Sequence, residues 1–209
     1  DAFVANMDAA HVCTQVGYEE TATDFSTMAQ AVIDAGCTSV LLVSYAADGA
    51  GIIEELAALG YSGAIYGADG IAEEGLAADM SDTSLVDGII ATKPAAAGDP
   101  GMVAMVFAGL CAQSADCAGG IYTAEAFDAV TIVAFAAFTA LATPGLSAGD
   151  AVMGTGQGWN GASGTISFLA GGDVPAAGFC IGEFSTAADG TVSYDCTRSW
   201  DPINGITTA

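Results

Sequence analysis

Asp69 lies in a Gly-Ala-Asp-Gly turn at the end of a short apolar run, and Tyr45 closes the apolar run before it. A carboxylate there, in a chain whose only basic residues are Lys93 and Arg198, suits a ligand ammonium group through a charge-assisted hydrogen bond. The plainer alternative is a turn aspartate that caps a helix beginning near Glu73. Glu54-Glu55 and Glu73-Glu74 are adjacent acids, but such pairs on helix surfaces form a solvated face. The single histidine, His11, has no evident carboxylate and nucleophile partners, so a hydrolase triad lacks support. No G-x-S-x-G elbow, P-loop, H-E-x-x-H or calcium loop occurs. The alternate glycines over residues 154–164 resemble a phosphate loop only superficially, since no Lys or Arg is near and no helical pattern follows. These residues point to binding rather than to catalysis, with neither cofactor nor metal.

The elements that must position Tyr45 and Asp69 are legible around them. A branched apolar run over residues 40–43 leads to Ser44-Tyr45. A helical pattern follows to Leu59, Gly60 stops it, and a second run over 64–66 leads to Asp69-Gly70. That is strand, helix, strand. In a right-handed βαβ unit the carboxyl ends of both parallel strands open on one edge of the sheet, where open α/β sheets bind ligands. Tyr45 and Asp69 are therefore expected to face one crevice.

Before this unit, residues 1–7 read as the tail of a helix whose start is missing, residues 11–18 as a strand, and residues 24–35 as a helix capped by Asp24 or Ser26. After it come a short helix over 73–80, a strand over 86–91, a Pro- and Ala-rich linker over 92–100 and a helix over 101–113. The longest helical pattern, 122–143, has little polar face beyond Thr123, Glu125 and Asp128, so it is expected to be covered on several sides. Its most apolar part, 129–142, is shorter than the roughly 20 residues of a bilayer crossing. Strands follow over 165–168, 178–184 and 191–196, the last two joined by an Asp-Gly turn. No pattern is evident beyond Trp200.

The six cysteines are near neighbours in sequence, Cys13 with Cys37, Cys111 with Cys117 and Cys180 with Cys196, and none forms C-x-x-C. An even count without metal spacing points to disulfides and an oxidising compartment, although the sequence alone leaves the pairing open. The sequential pairing is favoured because each pair falls on adjacent elements. Buried free thiols are the alternative. The net charge of −23 arises from 25 acidic residues against two basic ones, and it opposes association with nucleic acid or anionic membranes. In a salty medium the same charge is screened and serves solubility.

Taken in order, these pieces resemble a known family. The segment TDFSTMAQAVIDAGCTSVLLVSY, the helix ending LGY before AIYGADG, the strand VDGIIATKP, the helix opening IYTAEAFDAV and GFCIGEF before an ADG turn are similar to the type I periplasmic solute-binding proteins of ABC importers, in particular the leucine/isoleucine/valine-binding group. The resemblance covers nearly the whole chain. It implies an α/β fold with three-layer parallel-sheet lobes, the second lobe near complete and the first partial. Residues 1–93 would form the second, C-terminal lobe, 94–182 a partial first lobe containing the long buried helix, and 183–209 a return to the second lobe with a tail. Two such lobes close on a ligand. By position, Tyr45 matches the aromatic residue that contacts the ligand, Asp69 the acid that accepts its α-ammonium group, and Tyr122 an aromatic side chain at the cleft mouth. Glu125 lies one turn further on.

The family also carries an N-terminal stretch, about one small domain in length, that builds most of the first lobe and holds the ligand carboxylate. That stretch is not in this sequence. Residues 101–181 are therefore expected to expose an apolar surface, to be covered by another chain or by a preceding segment. The functional expectation is capture of a small, aliphatic amino acid in the periplasm or outside the cell, for delivery to the membrane subunits of an ABC importer. The alternative is a self-associating extracellular structural protein that keeps the fold without transport, and a flavodoxin-like enzyme comes third.

Overall fold

The computed structural model describes residues 8, 11–19, 21–78, 80–95, 101–114, 117, 122–175 and 178–208. The chain divides into two units, Asp1–Lys93 with Ile181–Arg198 and the last residue, and Pro94–Cys180 with Ser199–Thr208. Unit 1 opens with α1 (Ser26–Asp34), β1 (Ser39–Leu42), α2 (Ala46–Ala58), β2 (Ala64–Gly67) and β3 (Ile90–Pro94). Unit 2 contains α3 (Met102–Cys111), α4 (Thr123–Ala142), α5 (Ala148–Thr155), β4 (Trp159–Asn160) and β5 (Thr165–Ile166). The chain then forms β6 (Phe179–Thr186), β7 (Val192–Asp201) and β8 (Gly205–Thr208).

The large sheet has the order β1-β2-β3-β6-β7-β8. β1 and β2 pair in parallel from Ser39 opposite Ala64 to Leu42 opposite Gly67, and β2 pairs in parallel with β3. The carboxyl ends of the first two strands therefore stop side by side. Between them α2 buries Gly49, Ala50, Ile52, Ile53 and Leu56, the three- and four-residue spacing of one helix face. Asp48 in its first turn complements the helix dipole. The buried face joins Phe25 and Ala29 from the α1 region, Leu42 of β1, Ile71, Leu76, Val86 and Phe184 in one cluster within unit 1. Tyr194 packs its ring against Phe184 at 4.9 Å, donates its hydroxyl to Ala91 O at 2.8 Å and carries Lys93 Nζ 4.7 Å above its ring. One of the chain's two cations is thus held on an aromatic face.

Several local expectations change. Residues 11–18 are not a strand. They run beside β1, the outermost strand of the sheet, without forming a ladder with it, and a cavity of about 590 Å³ lies between the segment and the sheet. The segment is fastened instead by the Cys13–Cys37 bridge and by Tyr18 Oη against Ser44 Oγ at 2.6 Å. The strand expected over 86–91 begins only at Ile90, because Val86 ends a 3-10 turn and Gly88 adopts φ +77°. The helix expected over 73–80 is the 3-10 turn Glu74–Ala77. α5 was not expected, although Ser147 caps it by accepting from Asp150 N at 3.1 Å. β8 was not expected either, although Asp201 accepts from Ile203 N and Asn204 N and so closes the Asp-Pro-Ile-Asn-Gly turn before it. The helical tail over 1–7 and residues 96–100 of the linker lie outside the described residues.

The Cα atoms of Cys13 and Cys37 are 5.7 Å apart and those of Cys111 and Cys117 are 5.1 Å apart, both ordinary for a bridge. Cys180 and Cys196 are disulfide-bonded as well, and among the described residues no cysteine is free.

In unit 2, α4 packs on α5 and α3. Burial on several sides is not what the helix shows. Only Asp128, Ile132 and Ala136 are buried, one stripe at four-residue spacing, while Val130, Val133, Phe135, Phe138 and Leu141 are each more than half exposed. At 20 residues and a mean hydropathy of 1.6, α4 is long and apolar enough to cross a membrane by length and composition. Asp128 shows what holds it within unit 2. This carboxylate is fully buried and accepts from Ala162 N, Ser163 N and Ser163 Oγ, each at 2.7 Å. The loop closes directly on the carboxylate at Gly161, where a Cβ would overlap it. Asp128 therefore belongs to the interior, not to the polar face on which the sequence placed it.

Candidate functional site

The edge of unit 1 is built from two chain turns. Residues 43–45 lead from β1 into α2, with Tyr45 in extended backbone as the N-cap. Residues 68–71 lead from β2 into the 3-10 turn Asp69–Ile71, and Ala68 N donates to Leu42 O at 3.0 Å, which ties the two strand ends together. Gly70 sits against the first turn: a Cβ there would overlap Ser44 O and meet Tyr45 Cδ1 at 3.4 Å. Only glycine permits that approach, and it sets Tyr45 beside the turn that carries Asp69.

Tyr45 is 76% exposed and Asp69 is half-buried, so a ring and a carboxylate stand together at an accessible sheet edge. Around them, Val43 and Tyr66 are also exposed. Tyr66 stands one residue before the end of β2 and pairs with Leu41 in the register. An apolar and aromatic wall with one acid at its rim can hold a small molecule that has an apolar body and a cationic head. Sequence reasoning did not single out Tyr66, Val43 or Ser44. Tyr66 could have been found by extending the alternation along β2, whereas the burial of Ser44 and its bond to Tyr18 are tertiary.

Tyr122 and Glu125 belong to unit 2. Tyr122 is the N-cap of α4, 44% exposed, and its φ of 65° makes it the one non-glycine residue with positive φ among the described residues. A bulky residue in the left-handed region costs about 1–2 kcal/mol, which the surrounding structure must offset. Glu125 lies in the first turn of α4, where its charge complements the dipole. Of the adjacent acids, Glu54 accepts from Ser81 N at 2.7 Å and Ser81 Oγ at 2.6 Å, and these bonds hold its carboxyl below the usual range. It is thus engaged in joining α2 to the chain near residue 81.

No family model and no curated relative matches the sequence. Solved structures do match. A leucine-binding protein, LivK, from Thermotoga maritima superposes with a TM-score of 0.68 at 20% identity, over 90% of this chain and 52% of its own. A periplasmic binding protein type 1 from Bordetella pertussis gives 0.62 at 15% identity, over 86% and 51%. An ABC-transporter solute-binding protein from R. palustris, in complex with 4-hydroxybenzoate, gives 0.66 at 16% identity, over 89% and 51%. The chain has the α/β fold of type I periplasmic binding proteins and spans about half the length of the structures it matches.

Proposed function

We propose that this chain, with the fold of a type I periplasmic binding protein, acts outside the cytoplasm in capturing a small, aliphatic amino acid for the membrane subunits of an ABC importer. The observation that carries the reading is the pairing of Tyr45 and Asp69 at the carboxyl ends of adjacent parallel strands, fixed by the Ser44–Gly70 approach. Asp69 accepts the ligand ammonium group and the Tyr45 ring covers the apolar body. Tyr122 and Glu125 are proposed as further ligand contacts. Matching structures include both a leucine-binding protein and one in complex with 4-hydroxybenzoate. The acid at this edge favours an amine over a ligand whose only charge is a carboxylate.

Calorimetric titration of the protein with leucine, alanine and 4-hydroxybenzoate tests the reading. Leucine or alanine should bind and 4-hydroxybenzoate should not. Asp69→Ala should lose at least tenfold in affinity, the size of one charge-assisted hydrogen bond. Equal binding by Asp69→Ala would remove Asp69 from the site.

A second reading rests on the exposed faces of α3 and α4, where Met102, Met105, Val106 and Leu110 join the α4 side chains named above. Another chain or a preceding segment would cover residues 101–181. If the cover is a further copy of the same chain, the protein is a self-associating extracellular one that keeps the fold without transport. Ordered oligomers in light scattering, together with no leucine or alanine binding, would favour it.

A further inference from the structure

We infer that Tyr18 is a positioning residue for the Tyr45–Asp69 edge, an inference that rests on the reading of that edge as the ligand site. Residues 13–18 form a strap fastened at both ends. At one end Cys13 is bridged to Cys37, just before β1, and at the other the Tyr18 hydroxyl meets Ser44 Oγ at 2.6 Å, just after β1. The two links join residues 24 and 26 positions apart, so the strap runs parallel to β1 along its whole length. Beneath the middle of the strap lies the cavity of about 590 Å³, lined on one side by Val12 and Val16 and on the other by Val40 and Leu42. The strap is therefore held off the sheet, and its fixed ends, not a ladder, set where Tyr18 stands.

From Tyr18 a short chain of contacts reaches the site. Ser44 is 7% exposed, and its hydroxyl also lies 3.2 Å from Tyr45 O. The Ser44 carbonyl is the atom against which Gly70 closes, next to Asp69. Tyr18 itself is oriented by an edge contact to Phe25, with ring centroids 5.6 Å apart and planes at 88°. Phe25 is buried against α2. One hydroxyl pair thus couples the disulfide-tethered strap to the turn that carries Tyr45 and backs Asp69. A buried hydroxyl of this kind is satisfied only in one arrangement of the turn, so its partner selects that arrangement.

Tyr18→Phe removes the hydroxyl and keeps the ring on Phe25. Hydrogen exchange read by mass spectrometry should show the amides of residues 43–46 and 69–72 exchanging roughly three- to tenfold faster, with those of 52–56 in α2 unchanged. Ser44→Ala, which also loses the contact of its hydroxyl to Tyr45 O, should give at least as large a change, and the double variant no more than Ser44→Ala alone, because the Tyr18–Ser44 interaction is already lost there. Leucine affinity should fall by a comparable factor in each variant while the melting temperature of the core holds. A strap that merely adds stability would speed exchange throughout unit 1 and give additive effects. Unchanged exchange at 43–46 and 69–72 in a folded Tyr18→Phe or Ser44→Ala protein would overturn the inference. If exchange responds as described but the parent protein binds no leucine, the positioning role stands and the amino-acid reading falls.

Discussion

Helix α4 is more apolar than helix α2, yet less of it is covered. α2 buries one face in the cluster that runs from Phe25 to Phe184 and turns Asp48, Glu54 and Glu55 away from that face. α4 has no charged residue after Asp128, buries a single stripe and leaves Val130, Phe138 and Leu141 more than 70% exposed. The difference teaches that apolarity sets how much cover a helix requires, while its partners set how much it receives. In unit 1 the supply meets the demand. In unit 2 the described residues meet it along one stripe only, and a neutral apolar surface is left in a chain of net charge −23.

The largest expected contrast lies in the two aromatic side chains that mark this difference. Phe184→Ala should cost about 3–5 kcal/mol in urea denaturation, as loss of a fully packed ring does. Phe138→Ala, on the exposed face of α4, should change stability by no more than about 0.5 kcal/mol. A cost above about 2 kcal/mol at Phe138 would show that α4 is covered in solution, and the contrast between the units would vanish.

Asp128 sharpens the comparison from the other side, since it is where unit 2 is packed as tightly as unit 1. Asp128→Ala leaves Ala162 N, Ser163 N and the Ser163 hydroxyl without their acceptor in a buried place and should cost about 2–4 kcal/mol. Asp128→Asn keeps one acceptor oxygen and should lose less. Thermal melts rank the variants, and faster amide exchange at Ala162 and Ser163 would locate the loss. A silent Asp128→Ala would mean that loop 161–163 is held by something else.

β1, α2 and β2 were legible in the sequence because branched apolar runs, a periodic face and the stops at Gly60 and Gly70 agree with one another. That agreement also placed Tyr45 and Asp69 on one edge. The segment 11–18 has the composition of a strand, but its place is fixed by a disulfide and by a Tyr18–Ser44 bond whose partners are 26 residues apart, which periodicity does not record. Asp128 was misread for the same reason: a lone acid on an apolar helix looks solvated until the three donors that reach it are known. Tyr122 was assigned by resemblance alone, and its left-handed backbone carries no signal in its residue type.

The smallest effect concerns acid, and it again separates the units. Asp24, Glu54, Asp82 and Asp189 of unit 1 are all held below the usual carboxylate range, chiefly by hydrogen bonds from Ser26, Ser81, Ser84 and Thr191 respectively, whereas unit 2 has Asp201 alone in that state among the described residues. A carboxyl depressed in the folded protein adds stability above its unfolded value, and that stability is lost as pH falls through the lower folded value. Glu54, with an ordinary value of 4.5, should therefore help hold α2 at neutral pH and release it on acidification below that value. Ser81→Ala removes the hydroxyl donor, so it should lower the melting temperature at pH 7 slightly and leave it unchanged at pH 2. Solvent screening keeps the difference near 0.5 kcal/mol at most. Amide exchange across the same pH range should show α2 loosening before α5. Equal loosening of both helices would mean that the acid sensitivity follows the net charge of the whole chain rather than these bonds.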